Sequence, residues 1–209
     1  GVASRRAAEG LMTSGHITVN GRRVTKLGSQ IDPSRDEVRV DGQLVQPQRH
    51  VYYALHKPVG VVSARSSTHP TDKLVTALVP TEPPVVPVGR LDKRSSGLMI
   101  LTNDGPFAYE LTPTKFVHEK EYEIVVRCPS AEALPKALER LERGVRVDCE
   151  RQEFDRCSTL SLDGNRATLR VVLHTGKKRQ IRRMAAAVGL AVESLSRIRI
   201  GRLHLGQLK

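Results

Sequence analysis

Asp92 is a lone carboxylate in the run Val88-Gly89-Arg90-Leu91-Asp92-Lys93-Arg94-Ser95-Ser96-Gly97-Leu98, surrounded by the basic residues Arg90, Lys93 and Arg94. Positive neighbours favour the ionised form of an aspartate. An ionised carboxylate is a competent nucleophile, and the surrounding positive charge suits a polyanionic substrate. The same residues also read as a surface turn in which Asp92 pairs with an arginine. The apolar run Leu98-Met99-Ile100-Leu101 follows at once and predicts a buried strand with the loop at its edge, although short apolar runs do not by themselves separate strand from helix.

The second chemical stretch is His174-Thr175-Gly176-Lys177-Lys178-Arg179-Gln180-Ile181-Arg182-Arg183-Met184. From Lys177 to Lys209 there are nine Lys/Arg and one Glu, a net 9 − 1 = +8. Gly176 and the lysines precede an expected helix, whose first backbone N–H groups attract anions. A solvated charged face is the alternative. Ile181 and Met184 require one side of that helix to face the core. Arg182 and Arg183 therefore cannot both point the same way, and one of them is placed to aim at a buried carboxylate.

The elements that must hold these residues can be read along the chain. Ser4 predicts an N-cap for a short helix through Met12, with Gly15 beyond its end. Asn20-Gly21 and Asp41-Gly42 sit between alternating segments and predict two hairpins. This unit ends near Gln46, with Pro47-Gln48-Arg49 as linker. Strands are expected at Val51–Leu55, again at Val61-Val62-Ser63, and at Glu121–Val126. The Pro-rich residues 81–87 are expected to be a connector. Ser130 is the expected cap of a helix reaching Arg143, with Leu134, Ala137, Leu138 and Leu141 on one face. Phe154–Leu162 and Ala167–Leu173 pair around Asp163-Gly164-Asn165. A helix over Gln180–Val188 stops at Gly189, and Glu193–Ile200 and Leu203-His204-Leu205 close the chain. Many strands and few helices argue for an α+β fold with a mixed, largely antiparallel sheet.

Bulk composition narrows the function. The 209 residues carry a formal net charge of +12 and a pI near 10.1, which points to nucleic acid. No stretch approaches the ~18 apolar residues of a membrane span, so no membrane partner is expected. The chain begins at Gly1 and shows no secretory pattern. The expected compartment is the cytoplasm, an organelle being the alternative. Cys128, Cys149 and Cys157 are odd in number and unpaired in spacing, so zinc and a disulfide framework are not expected; packed thiols are. With no Trp, four Tyr and three Phe, an aromatic stacking platform for single strands is disfavoured. A metal-dependent nuclease needs clustered carboxylates or histidines. The nearest acidic pair, Asp92 and Asp104, is expected to be split by a strand. No metal or other cofactor is expected.

Two resemblances follow from these motifs. Gly1 to Glu9, with Gly15-His16-Ile17-Thr18-Val19-Asn20-Gly21, resembles the S4-type RNA-binding domain. Residues 1–47 would form that domain, lacking about one upstream helical turn, and Arg5, Arg6, Arg22, Arg23 and Lys26 would touch phosphates. Residues 48–209 resemble the catalytic domain of ribosomal-RNA pseudouridine synthases of the RsuA/RluB-like branch. The matching text is Leu55-His56-Lys57-Pro58-Val59-Gly60, Gly89-Arg90-Leu91-Asp92, Leu101-Thr102-Asn103-Asp104-Gly105, Lys120-Glu121-Tyr122 and Gly176 to Met184. Ser95-Ser96 stands where many members have a Thr.

The resemblance implies roles. Asp92 would be the catalytic aspartate and Arg90 the arginine that displaces or replaces the target nucleotide. Tyr122 would lie beside the uracil, though a strand Tyr also packs a core. Ile181 would line the pocket, and Arg182 would pair with Asp92 in a charge-assisted, bidentate contact. Lys57 would contact backbone or phosphate on the substrate side. Lys177, Lys178, Arg179 and Arg183 would bind RNA. The expected substrate is one uridine of ribosomal RNA, more in the manner of large-subunit enzymes, met as free RNA or in a ribosome-assembly intermediate by a monomer. A small-subunit target and a non-catalytic ribosome-associated RNA-binding protein are the alternatives.

Overall fold

The computed structural model describes residues 2–46, 48–67, 69–80, 82–112 and 118–208. Gly1, Pro47, Thr81 and Lys209, which bound several expected segments, lie outside the described residues. The chain divides into two units, Gly1–His50 and Val51–Lys209.

The first unit is one helix and four short strands. Helix α1 (Arg5–Thr13) is capped by Ser4, whose hydroxyl accepts from the Ala7 N–H at 3.3 Å. Strands β1 (Ile17–Val19) and β2 (Arg22–Arg23) meet at Asn20-Gly21, and β3 (Val38–Val40) and β4 (Gln43–Leu44) at Asp41-Gly42. All four turn residues have positive φ, as a type I′ hairpin turn requires. The order β2-β1-β3-β4 is antiparallel throughout.

The second unit is built on an eight-stranded sheet. Its elements are β5 (Tyr52–Lys57), β6 (Val86–Val88), β7 (Ser96–Thr102), α2 (Gly105–Leu111), β8 (Lys120–Arg127), α3 (Ala133–Arg143), β9 (Val145–Val147), β10 (Glu150–Gln152), β11 (Arg156–Asp163), β12 (Arg166–Leu173), α4 (Gln180–Ala187), β13 (Ala191–Ile200) and β14 (Leu203–His204). The main path runs β11-β12-β8-β13-β7-β5, with β14 on β13 and β6 on β7. The β13–β7 pair is parallel, while every other named pair is antiparallel. The parallel contact is confined to Ser196↔Ser96 and Arg197↔Gly97. A Cβ at Gly97 would stand 2.3 Å from the Arg197 backbone, so glycine is what lets the two strands touch. Beyond this point β6 takes the vacated side of β7.

Apolar side chains of β8, β12 and β13 meet those of α3 and α4 on one face. Ile124, Val126, Leu169, Val171, Leu134, Leu141 and Met184 are all buried there. A smaller cluster of Val88, Leu98, Ile100 and Ile200, with Phe107 of α2, fills the other face of β7.

Several local expectations are corrected. Val61-Val62-Ser63 is not a strand; it makes one isolated bridge, Val62 to Leu74, because the chain turns at Ser63, where the Ala64 N–H bonds Val62 O at 3.0 Å. Ser130 does not cap α3. The cap residue is Glu132, whose side chain makes no capping bond. The end of the Pro-rich connector is strand β6. Helix α2, capped by Asp104 on the Phe107 N–H at 3.1 Å, and the β9–β10 hairpin were not expected. Cys128 is buried, but Cys149 is exposed at the hairpin tip rather than packed.

Candidate active site

The loop from Gly89 to Ser95 joins β6 to β7 and opens into a cavity of about 310 Å³. Tyr122 of β8, Leu173 at the end of β12, Leu195 of β13 and the Thr175–Arg182 segment complete the wall. The sheet order explains the convergence. Strands β8, β13 and β7 are neighbours, so residues about a hundred positions apart reach one mouth. Among the described residues, five lining side chains are basic (Arg90, Lys177, Lys178, Arg179, Arg182) and one, Asp92, is acidic. A polyanion entering here meets positive potential around one carboxylate.

The Asp92 loop is held by its main chain. Five consecutive carbonyls each accept a hydrogen bond. Leu91 accepts from Ser63 Oγ at 2.7 Å, Asp92 from the Ser95 N–H at 3.0 Å, and Lys93 from the Gly60 N–H at 2.7 Å. Arg94 accepts from Arg182 Nη2 at 3.0 Å and Ser95 from Lys57 Nζ at 2.7 Å. The Lys93 ammonium is drawn aside onto Asp72 at 2.7 Å. The half-buried Asp92 carboxylate accepts no hydrogen bond among the described residues.

Arg182 does not form the expected bidentate pair with Asp92. Its Nη1 donates to Val192 O at 2.8 Å and its Nη2 to Arg94 O, so its fork is spent on two carbonyls that flank it. Its effect on Asp92 is through charge. Burial and then Arg179 depress the Arg182 pKa, with Asp92 opposing them. Arg182 thus ties the Asp92 loop to β13 and sets a cation near the carboxylate without touching it.

Lys57 is also corrected. It is fully buried and donates to Pro58 O at 2.9 Å and to Ser95 O. It stands behind the loop, with its ammonium on two main-chain carbonyls. Burial lowers its pKa from 10.5 to about 8, with Asp92 pulling the other way. Tyr122 and Ile181 do line the cavity, both largely buried, and Arg90 is exposed at its rim.

The expected RNA contacts divide. Lys178 and Arg179 are exposed, unpaired among the described residues and on the cavity wall. Lys177 is ion-paired with Glu150 and Arg183 with Asp148, both carboxylates lying at the β9–β10 turn. Arg183 is therefore a structural contact in this state. In the first unit Arg5 pairs with Glu9, while Arg6, Arg22, Arg23 and Lys26 are exposed without an ion-pair partner among the described residues. Gln180 and Ser63 were given no site role from the sequence. Gln180 is buried, and its Oε1 accepts from Thr175 Oγ1 and from the Lys177 N–H, both at 3.0 Å. That reach back over three residues shapes the basic turn before α4. Arg179, the residue before α4, sits at φ 53°, a left-handed conformation that costs a non-glycine about 1–2 kcal/mol.

Residues 51–187 match the model of the RNA pseudouridylate synthase family, and residues 1–36 match the S4 domain. Ribosomal large subunit pseudouridine synthase B of Bacillus subtilis (strain 168) is 40% identical over 209 residues, covering 98% of this chain and 83% of that protein. The dual-specificity RNA pseudouridine synthase RluF of Escherichia coli O6:H1 is 35% identical over 208 residues, covering 98% of this chain and 68% of that one. Among solved structures, a crystal structure of pseudouridylate synthase superposes with a TM-score of 0.64 at 25% identity, over 99% of this chain and 87% of that one.

Proposed function

Since this chain belongs to the RNA pseudouridylate synthase family and carries an S4 domain, we propose that it converts one uridine of ribosomal RNA to pseudouridine with Asp92 as the catalytic carboxylate. The observation that carries the proposal is the cavity: one carboxylate, free of hydrogen bonds from the described residues, among five cations. A carboxylate left without donors keeps its lone pairs for the substrate.

In this reaction the glycosidic bond breaks, the uracil rotates, and it rejoins through carbon five. Nothing is oxidised and no group is donated. Asp92 begins ionised and either attacks the anomeric carbon or removes a sugar proton to give a glycal. The target base must leave its stack, which costs a few kcal/mol. Arg90, two residues from Asp92 and exposed, fills the place the nucleotide leaves. Tyr122 and Ile181 form an aromatic and aliphatic wall against the flipped uracil. Lys178 and Arg179 neutralise the flanking phosphates, offsetting the flipping cost. The 40% identity to a protein named for the large ribosomal subunit favours large-subunit RNA, free or within an assembling particle. A small-subunit site is the alternative.

Asp92→Asn abolishes tritium release from carbon-five-labelled uridine RNA while RNA binding is retained. Turnover within about tenfold of wild type, a barrier change under about 1.4 kcal/mol, removes Asp92 from the role. Pseudouridine mapping of ribosomal RNA from cells lacking the protein identifies the target as the lost site.

A further inference from the structure

Among the residues that hold the Asp92 loop, Ser63 has a distinct geometry. Its hydroxyl donates to Leu91 O at 2.7 Å and accepts from the Leu91 N–H at 3.2 Å. Ser63 and Leu91 are both 7% exposed, so water does not compete for these bonds. Exchanging both bonds with one residue is what a partner residue does in a hydrogen-bonded antiparallel pair. Here a single hydroxyl does it, because one oxygen supplies both a donor and acceptor lone pairs.

The consequence falls on the next residue. The two bonds fix the peptide planes on either side of Leu91, and the second of those planes carries Asp92. No described side chain donates to the Asp92 carboxylate, so its place in the cavity is set by its backbone. The Leu91 side chain packs in the core, which prevents the pair from sliding together.

We propose that Ser63 is a positioning residue for the isomerisation: by clamping both sides of Leu91, it sets where the Asp92 carboxylate stands against the target sugar. The proposal rests on the role given to Asp92 above. A displacement of about 1 Å at a reacting group costs about 100-fold in rate, which is the size of effect to look for.

The test is a single-turnover measurement with the full-length enzyme in saturating excess over carbon-five-tritiated RNA. At saturation the rate constant does not depend on how much of the enzyme is folded, so a loss of stability alone leaves it unmoved. Ser63→Ala lowers that rate constant by about 100-fold and leaves RNA affinity unchanged. Ser63→Thr, which keeps the hydroxyl, recovers most of the rate. Asp92→Asn runs beside them. A wild-type rate in Ser63→Ala with an inactive Asp92→Asn overturns the proposal and leaves the role of Asp92 standing. Activity in Asp92→Asn overturns both. Should Ser63→Ala not fold, Ser63→Thr is compared with Ser63→Cys, whose thiol is a weak donor and acceptor. Thr faster than Cys supports the clamp, and Cys as fast as Thr overturns it.

Discussion

Lys57 is a fully buried cation whose ammonium rests on two carbonyls, with its pKa brought from 10.5 to about 8 by burial. The sign of its effect on stability follows from proton counting. Below pH 8 both folded and unfolded chains hold the proton, and the fold bears the full cost of a buried charge. Between about pH 8 and 10.5 the unfolded chain holds a proton that the folded chain has released, so stability rises with pH. Urea unfolding of wild type and Lys57→Met at about pH 7 and about pH 10 is expected to show the wild type gaining on the variant at the higher pH. Parallel behaviour of the two proteins would mean that Lys57 keeps its ordinary pKa. The sequence made Asp92 legible, because a lone acid among bases in a glycine-bounded loop is visible in one dimension. It did not make Lys57 or Arg182 legible. Whether a cation meets a carboxylate or a carbonyl depends on which backbone oxygens the fold leaves nearby, and Arg94 O and Val192 O lie 88 and 10 residues away from Arg182 in sequence.

The β9–β10 hairpin shows the same effect one level up. Asp148 and Cys149 turn with φ 50° and 64°, and the two carboxylates Asp148 and Glu150 hold Arg183 and Lys177. Exposed pairs of this kind contribute only about 0–1 kcal/mol to stability. They also occupy two cations beside the cavity with carboxylates. The double variant Asp148→Asn, Glu150→Gln is expected to bind RNA more tightly. Its salt dependence should steepen by about 0.7–0.9 for each additional phosphate neutralised. A salt series with wild type and variant reads this directly, and an unchanged slope would show that RNA never reaches Lys177 or Arg183. This hairpin was missed in the sequence because Asp148-Cys149 lacks the glycine that announced the turns at Asn20-Gly21 and Asp41-Gly42. Helix α2 was missed for a related reason. Asp104-Gly105-Pro106 serves equally as a turn signal and as a helix start, and the choice is made by Phe107 packing against β7.

At the scale of the whole molecule the chain is two units, Gly1–His50 and Val51–Lys209. The α+β class and the run of strands could be read from alternation and turn residues. The strand order β11-β12-β8-β13-β7-β5 could not, since it depends on pairings such as Arg197↔Gly97 across a hundred residues. Resemblance to a known family identified the two domains but not this order. In the first unit Arg6, Arg22, Arg23 and Lys26 are free of ion pairs among the described residues, and they are the side chains expected to meet phosphates. Removing residues 1–50 should leave the second unit folded, since its core is its own. RNA affinity should fall, and the salt dependence should flatten by about one unit of slope for each phosphate no longer neutralised. Binding of full-length and shortened protein across a salt series checks this, and an identical slope would exclude the first unit from RNA contact. The five held carbonyls behind Asp92 carry an implication for descent. A loop whose shape depends on main-chain bonds tolerates drift in its outward side chains, and Arg94 is exposed with only its carbonyl hydrogen-bonded among the described residues. Substitutions there, or on the exposed bases of the first unit, are expected to alter RNA contacts without moving the carboxylate. A lineage can therefore acquire a new target by single steps while inheriting the same chemistry.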